Sequence, residues 1–335
     1  MTAEILPTHT PALFAAAVQR AVALLRVGGV VALPTETVYG LAANAFDEKA
    51  VAKIFQIKGR PANNPIIVHV SSVEMARRCT TDWPGGADKL AGAFWPGPLT
   101  LVLPRVKEIP DLVTAGGATV GVRWPAHPFI QAVIRLCGFP LAAPSANLAS
   151  RISPTNAEHV RKQLGGKVPL IVDGGQSQVG IESTVLDLSV RPPQVLRPGM
   201  IHVESLAAVC GKVQRAEGKA QASILRSPGL LKKHYSPKAK LLVLNWQSGA
   251  DLNFQLSTLH PQLSVCHVIT HTHIPSAEHF ARVSIIPHDA EAFARAIYAE
   301  LHRCDEAGAE LIIVEAPPEL PEWSGIADRL KRAAA

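Results

Sequence analysis

The sequence lacks several patterns that would place it in common functional classes. Its five cysteines are widely separated and form no CxxC pair, which argues against a disulfide framework or a zinc knuckle and favours reduced, mostly buried thiols. No stretch approaches the roughly 20 apolar residues of a membrane-spanning helix. The segment MTAEILPTHTPALF has neither the basic start nor the continuous apolar core of a signal peptide. We therefore expect a soluble, cytoplasmic protein.

Aromatic residues are also scarce, at 5% of the 335 residues, so any core must be built mainly from alanine, valine, leucine and isoleucine. A hydrophobic content of 47% with 18% charged residues is typical of globular chains, and the length is sufficient for two domains. The net charge of +6 favours anionic partners such as nucleotides, pyrophosphate or RNA, without choosing among them.

Short apolar runs alternate with helical patterns in the first two thirds of the chain. A helix is predicted after Thr10 and Pro11, which suit the N-cap and the first helical position. Further helices are predicted at residues 47–57, 128–136 and 155–164. Strands are predicted at residues 30–33, 66–70, 99–103, 119–122, 140–143, 169–172, 184–188 and 194–196. Helical and direct connections both occur, so we expect an α/β fold with a twisted mixed sheet flanked by helices.

The composition changes after about residue 205. Residues 211–240 contain eight Lys or Arg but one acid, Glu217, together with scattered Gly, Ser, Gln and Pro, a pattern typical of a linker. From residue 239, the runs LLVLN, SVCHVIT, RVSIIP and LIIVEAP surround a long helical pattern at residues 290–307, which predicts a smaller Rossmann-like three-layer α/β domain without a glycine-rich dinucleotide fingerprint. We predict domains at residues 12–205 and 239–330, joined by a basic linker at 206–238.

Several polar motifs follow predicted strands, where α/β sheets commonly bind ligands. PTETVYGL is either an ordinary polar turn or part of such a site. Lys58 and Arg60 in KGRPANNP suit either a helix C-cap or phosphate binding. His69 is a core histidine or a ligand, and Arg123, at the end of an apolar strand, requires an anionic partner such as a carboxylate or phosphate.

The PSAN loop, which contains Ser145 and Asn147, can present hydroxyl, amide and backbone N–H groups to an anion. Ser145 lacks the GxSxG frame of a hydrolase nucleophile. Ser153 is either a plain helix N-cap or a phosphate ligand at a helix N-terminus. Arg197, which follows a predicted strand, could reach a nucleotide.

Together these motifs resemble the YrdC-like family, specifically its two-domain L-threonylcarbamoyladenylate synthases. The family's KxR…SxN motif appears as Lys58, Arg60, Ser145 and Asn147, and PTETVYGL, NPIIVHV, GVRWP, ESTV and RPG surround it in family order. SPGLLKKHYSP, at residues 227–237, resembles the linker of the longer members, although Leu230 and Leu231 replace the more usual methionine and basic residue. The resemblance spans residues 12–200 strongly, the linker clearly and the remaining C-terminal part weakly.

The resemblance implies a nucleotidyltransferase that joins L-threonine, bicarbonate or CO2 and ATP into threonylcarbamoyl-AMP and pyrophosphate for tRNA modification. It assigns L-threonine to Thr37, His69, Arg123, Ser183 and the Ala143 backbone. It assigns ATP to Arg60, Asn64, Thr119, Ser145, Asn147, Ser153, Arg197 and Tyr235. Lys58 and Arg60 are the candidate catalytic residues, and Lys58 and Asn147 are expected to line the phosphate path.

Further expectations follow from the same resemblance. Mg2+ is expected on the ATP phosphates and water rather than in a protein cage. His234 and Tyr235 are candidates for a lid over the nucleotide, whereas the alternative for LLKKHYSP is a solvated connector. A tRNA threonylcarbamoyl-transfer complex is the expected downstream partner, with weak direct tRNA contact possible and no membrane association.

Three other hypotheses compete with this one. An RNA-binding module would use a basic surface with interleaved aromatic residues, and the first domain has few of these. A carbamoyltransferase of the hydrogenase-maturation type would require an acylphosphatase-like region and cysteine-rich zinc motifs, which the sequence lacks. A metal site at Cys266, His267, His271 and His273 would lack any recognised ligand spacing, so we predict no metal site of the protein's own.

Overall fold

The structure is a computed structural model, and it describes residues 2–216, 227–229, 233–257 and 263–335. It divides into two compact units, Met1–Ala149 with Ser153–Leu230 and Ser150–Ile152 with Leu231–Ala335. Linker residues 217–226 and 230–232, which include Leu230 and Leu231 of the predicted lid, lie outside the described residues.

The first unit is organised around one mixed sheet. Its described strands are β1 (Glu4–Pro7), β2 (Val31–Leu33), β3 (Gly40–Asn44), β4 (Val68–His69), β5 (Leu99–Pro104), β6 (Thr119–Arg123), β7 (Leu141–Ala142), β8 (Leu170–Asp173), β9 (Thr184–Asp187), β10 (Gln194–Arg197) and β11 (Gln214–Arg215). Their order is β1-β8-β2-β3-β7-β4-β6-β5-β9-β10-β11. Strand β5 pairs antiparallel with β6 and parallel with β9, so the predicted mixed sheet is confirmed.

Helices cover both faces of this sheet. They are α1 (Pro11–Arg26), α2 (Glu48–Lys58), α3 (Val73–Arg77), α4 (Gly85–Phe94), α5 (Asp111–Thr114), α6 (Pro128–Cys137), α7 (Ala157–Leu164) and α8 (Val203–Cys210). Strand β2 shows the two-sided burial: Val31 and Leu33 pack in the core beneath α1 and α6, whereas Ala32 packs in the core of the opposite face. Burial on both faces explains why the strands appear as continuous apolar runs in the sequence.

Local sequence signals set the ends of these helices. The Thr10 hydroxyl accepts a hydrogen bond from the Leu13 N–H at 3.2 Å, and Pro11 occupies the first turn of α1, as predicted. Asp47 caps α2 in the same way, and Gly59 ends α2 in the left-handed conformation at φ +60°. The turn after α2 is therefore fixed in the segment that carries KGRP.

The second unit is a smaller parallel α/β fold. Its described elements are β12 (Lys240–Leu244), α9 (Gly249–Ser257), β13 (Cys266–Thr270), β14 (Arg282–Ile285), α10 (Ala290–Glu306), β15 (Leu311–Glu315) and α11 (Ser324–Ala333). The strand order is β12-β15-β13-β14, with every pair parallel. This confirms the predicted Rossmann-like α/β domain.

Two regions differ in detail from the sequence-based scheme. Gly40 and Leu41, the last two residues of PTETVYGL, begin strand β3 instead of remaining in a loop, because Leu41 and Ala42 pair with Ala32 and Val31 of β2. In the range predicted as linker, α8 buries Leu206 in the core of the first unit and β11 pairs with β10. Among the helices of the described ranges, none is long and apolar enough to cross a membrane.

Candidate functional site

Arg123, which ends β6, is the centre of a buried polar cluster. Its Nη1 donates to Thr37 Oγ1 at 2.9 Å, and its Nε donates to the Gly97 carbonyl at 3.2 Å. Its Nη2 lies 2.7 Å from Glu36 Oε1 in an ion pair, and neither atom makes a hydrogen bond with another residue that the structure describes. Arg123 and Thr37 are only 3% and 1% exposed, so this cluster holds charge away from bulk water.

His69 lies beside this cluster because the parallel register of β4 and β6 pairs it with Arg123. Burial, followed by the charge of Arg123, lowers the pKa of His69 to about 3, so the ring is neutral near neutral pH. Its Nδ1 has no hydrogen-bond partner among the described residues. Ala143 follows β7, the other neighbour of β4, and donates its N–H to the Ile67 carbonyl at 3.1 Å. These predicted threonine ligands therefore lie on the neighbouring strands β4 and β6 and directly after β7.

Lys58 connects α2 to the PSAN loop. Its Nζ donates to the Ser145 carbonyl at 2.5 Å, to the Asn147 carbonyl, and to Asn147 Oδ1 at 3.3 Å. The side chain is 2% exposed, and burial, followed by the charge of Arg60, places its pKa well below the usual lysine value. All four residues of the predicted KxR…SxN motif thus belong to one region, with the lysine holding the loop by its carbonyls.

Arg60 shapes the turn that follows α2. Its Nε donates to the Asn64 carbonyl at 3.1 Å and its Nη2 donates to the Pro65 carbonyl at 2.6 Å. Asn64 is 1% exposed, and its Oδ1 has no partner within the described ranges. The turn therefore holds a guanidinium and an unsatisfied amide oxygen together.

Ser183 and Arg197 meet at the start of β9. Arg197 Nη2 donates to the Ser183 carbonyl at 3.0 Å and to Ser183 Oγ at 3.1 Å. The Ser183 hydroxyl also pairs with Thr100 Oγ1 at 2.8 Å, and Arg197 Nη1 donates to the Pro228 carbonyl at 3.3 Å. Arg197 thereby links a predicted threonine ligand to the start of the SPGLLKKHYSP segment.

A small cavity opens near this group, and Pro65, Thr100, Thr119 and Pro228 contribute to its walls. Thr119, a predicted ATP ligand, is thus placed on a cavity wall. Ser153 is fully buried and donates to Glu182 Oε1 at 2.5 Å.

Sequence reasoning did not assign roles to Glu36, Thr100, Ser177 and Glu182. The loop before β9 is hydrogen-bonded to the PTET segment. The Ser177 hydroxyl donates to the Thr35 carbonyl at 3.0 Å, and the Val179 N–H donates to the Glu36 carbonyl at 2.7 Å. Glu36 and Glu182 belong to the PTET and ESTV motifs, so the sequence pointed to the right segments. The contacts that these two residues make became visible only in the folded structure.

The predicted lid residues belong to the second unit. Tyr235 is 1% exposed, with its ring stacked on Tyr298 at 6.0 Å and the Arg329 guanidinium 5.3 Å from its centre. The ring of His234 lies 4.0 Å from that of Tyr235. Tyr235 has a φ of +63°, which is uncommon for a residue with a side chain.

The cysteine and histidines that were considered as metal ligands have other contacts in the structure. His273 Nδ1 and Glu315 Oε1 are 2.9 Å apart, and Cys266 and His267 belong to β13. In the parts of the chain that the structure describes, no three His, Cys, Asp or Glu side chains are arranged to hold a metal ion.

Protein-family models match both parts of the chain. The family model described as telomere recombination, which covers Sua5, YciO and YrdC, matches residues 23–199. The model for the C-terminal domain of threonylcarbamoyl-AMP synthase matches residues 201–335.

Relatives resemble the chain over nearly its whole length. The threonylcarbamoyl-AMP synthase of Pyrococcus abyssi is 38% identical over 93% of this chain and 92% of its own. That of Bacillus subtilis is 39% identical over 95% and 92%, respectively. The crystal structure of P. abyssi Sua5 complexed with L-threonine matches with a TM-score of 0.88 at 37% identity, covering 95% of this chain and 94% of that one. The chain therefore belongs to the threonylcarbamoyl-AMP synthase family and is an enzyme of this type.

Proposed function

We propose that this enzyme condenses L-threonine, bicarbonate or CO2 and ATP into L-threonylcarbamoyladenylate and pyrophosphate. The observation that carries the proposal is the buried cluster of Arg123, Thr37 and His69, whose polar groups are incompletely paired. Such groups cost free energy unless a ligand or water completes their hydrogen bonds. The P. abyssi relative complexed with L-threonine supports threonine as that ligand.

In this proposal the amino acid lies beside the neighbouring strands β4, β6 and β7. Arg123 offers a planar guanidinium to the carboxylate of threonine. Thr37 and neutral His69 can exchange hydrogen bonds with its hydroxyl group. Ser183 and the Ala143 backbone complete the proposed contacts.

The nucleotide is proposed to occupy the region between the KGRP turn and β9. Arg60 is cationic and part-exposed, and Arg197 is buried, so both can stabilise phosphate charge. The remaining proposed ATP contacts are Asn64, Thr119, Ser145, Asn147, Ser153 and Tyr235. Because the Lys58 ammonium group already donates to carbonyls of the PSAN loop, we assign it the positioning of Ser145 and Asn147 along the phosphate path.

The chemistry requires no enzyme nucleophile. The α-ammonium group of threonine first loses a proton, and the free amine adds to CO2 and releases a second proton to give a carbamate; from bicarbonate, water is released in place of that second proton. A carbamate oxygen then forms a bond to the α-phosphorus while the bond from that phosphorus to the β-phosphate oxygen breaks, and pyrophosphate leaves. Lys, Arg, Ser, Thr and Asn side chains suit a reaction driven by positioning and charge stabilisation. The product is a labile mixed anhydride, so the exclusion of water gives the segment at residues 227–237 a role as a lid.

Mg2+ is proposed to reach the site with ATP. It usually keeps several waters and binds substrate phosphates, which fits a site rich in neutral and cationic side chains. When bound, it would neutralise phosphate charge. The Glu182 carboxylate accepts a hydrogen bond from Ser153, one of the proposed ATP contacts.

Downstream, we propose that the adenylate supplies N6-threonylcarbamoyladenosine modification of tRNA through a transfer complex in the cytoplasm. The net charge of +6 is compatible with weak tRNA contact.

The test is pyrophosphate release from ATP, assayed with each amino acid, with and without bicarbonate. We expect release to require both L-threonine and bicarbonate. Release with serine alone, or none with the complete mixture, would overturn the assignment.

A further inference from the structure

The Glu36 carboxylate has no role in the reaction as described so far. Its side chain is 10% exposed, and neither oxygen accepts a hydrogen bond from any residue that the structure describes. The Arg123 guanidinium lies 2.7 Å from Oε1, so its positive charge is close but its N–H groups are not directed at the carboxylate. A buried carboxylate normally accepts several hydrogen bonds, because its desolvation is costly.

The two carboxylate oxygens of Glu36 belong to a group of buried polar atoms that make no hydrogen bond with a described residue. His69 Nδ1, Arg123 Nη2 and Trp124 Nε1 are likewise buried without a partner in the described ranges. His69 is in register with Arg123, and Trp124 is its neighbour in the chain. Several such groups on residues that are neighbours in the sheet or in the chain indicate a place where a polar ligand completes their hydrogen bonds.

The backbone around Glu36 is firmly held, so its carboxylate is not exposed by a loose loop. The Val179 N–H donates to the Glu36 carbonyl at 2.7 Å, and the Gly180 N–H donates to the Thr37 carbonyl at 3.1 Å. On the other side, the Thr35 hydroxyl donates to the Val38 carbonyl at 2.6 Å. Backbone hydrogen bonds thus hold the turn, while neither carboxylate oxygen accepts a hydrogen bond from a described residue, which is the arrangement expected of a preorganised site.

His127 is the other titratable group that senses the charge of Glu36. Burial lowers its pKa, opposed by a hydrogen bond with the Gly174 backbone and by the charge of Glu36. Its Nδ1 accepts from the Phe129 N–H at 3.2 Å. His127 therefore has hydrogen-bond partners of its own, and neither oxygen of Glu36 accepts a hydrogen bond from it.

We propose that Glu36 binds the α-ammonium group of the amino-acid substrate, while Arg123 binds its carboxylate. An α-amino acid carries both charges on a single carbon, and the adjacent Glu36 and Arg123 present the complementary charges side by side. Glu36 then determines specificity for amino acids over hydroxy acids. This inference rests on the proposed function, and it adds a recognition residue to the threonine pocket.

The inference is tested by comparing two ligands on the full-length protein. L-Threonine and β-hydroxybutyrate, which is threonine without its amine, are titrated by calorimetry against the wild-type and Glu36→Gln proteins. We expect the wild-type preference for threonine to fall by roughly tenfold to a hundredfold in the variant, the range for hydrogen bonds to charged groups. Glu158→Gln, which changes a half-exposed carboxylate paired with Arg161, is the matched control and should keep the wild-type preference.

The outcomes separate the two proposals. If Glu36 merely stabilised the fold beside Arg123, its substitution would weaken both ligands equally, and an unchanged preference would overturn the inference. Failure of the wild type to bind threonine at all would instead refute the proposed substrate, and with it the inference. Should Glu36→Gln not fold, Glu36→Asp replaces it: a preference reduced at least threefold supports the role, and a wild-type preference refutes it.

Discussion

At the scale of single residues, the neutral state of His69 leads to a prediction about acid stability. Its pKa is about 3 in the folded protein against the ordinary histidine value of 6.5 in the unfolded chain, so on acidification the unfolded chain takes up this proton first. The part of the free energy of unfolding that results from this pKa difference is fully present above the pKa that His69 has in the unfolded chain. It is lost as the pH falls from 6.5 to about 3. Removing His69 should remove this part of the pH dependence.

The measurement is urea unfolding of the wild-type and His69→Gln proteins at about pH 7.5 and about pH 5. The wild type should lose about 2 kcal/mol more free energy of unfolding than the variant across this interval. Because His127 and other titratable groups are common to both proteins, their contributions cancel in the difference. Equal losses in the two proteins would show that His69 titrates normally.

Lys58 gives a second prediction at this scale. Replacing it by methionine keeps most of the buried stem but leaves the carbonyls of Ser145 and Asn147 without their donor. Each orphaned buried acceptor costs about 1–3 kcal/mol, so urea unfolding should show a loss of about 2–5 kcal/mol.

The matched control for Lys58→Met lies on the same helix. Lys53 also donates to a carbonyl, that of Gly28 at 2.6 Å, but at an exposed position where water can replace it. Lys53→Met should therefore change the free energy of unfolding by less than about 1 kcal/mol. Similar losses in the two variants would contradict the positioning role of Lys58.

At the scale of elements, the RPG turn after β10 is packed against the start of β9. A Cβ atom on Gly199 would lie 2.5 Å from the Thr184 nitrogen and 2.9 Å from the Glu182 carbonyl oxygen, which are backbone atoms that cannot move aside independently. Gly199→Ala should therefore cost about 1–3 kcal/mol in thermal or urea unfolding, the usual range for overpacking. It should also raise the KM for threonine, because Ser183 precedes Thr184 directly.

Gly92→Ala serves as the comparison, because Gly92 lies in helix α4 with no atom within 4 Å of the added Cβ. Alanine is favoured over glycine in helices, so this variant should gain about 0.5–1 kcal/mol and keep the wild-type KM. A tolerated Gly199→Ala would show that the turn adjusts freely.

The elements themselves differ in how far the sequence predicted them. Strands such as β5 (Leu99–Pro104) were predictable because burial on both faces produces an uninterrupted apolar run. Helix α4 was missed because it begins with two glycines and has no side-chain N-cap, so its local signals are weak. Strand β3 consists of GLAAN, which has little strand propensity, and it is specified by its pairing with β2.

The site shows the same division between local and long-range information. Motif spacing identified Arg123 and His69 as candidates, but their adjacency depends on the register of β4 and β6. The ion pair of Glu36 with Arg123 joins two motifs that are far apart in the chain, and no local pattern encodes such a contact. Contacts between charged residues that are far apart in the chain can therefore be identified only from the folded structure.

At the scale of the whole molecule, the SPGLLKKHYSP segment is anchored at both of its described ends. Within the first unit the Pro228 carbonyl accepts a hydrogen bond from Arg197, and within the second unit the Tyr235 ring packs against Tyr298 and Arg329. Tyr235 also keeps a φ of +63°, a strained conformation for a residue with a side chain, which surrounding contacts must hold in place. The described ends of the segment are thus held by contacts within the first and the second unit, respectively.

Replacing residues 227–237 by a Gly/Ser sequence of the same length tests the lid function of this segment. The replacement keeps the covalent connection but removes the side chains that would exclude water from the labile adenylate. We expect the kcat for pyrophosphate release to fall by at least about a hundredfold, while amide hydrogen exchange in β5 and β6 stays at the wild-type level, because the first unit has its own core. Wild-type turnover in this variant would show that the segment is only a solvated connector. Lost exchange protection in β5 and β6 would show instead that the linker is needed to keep the first unit folded.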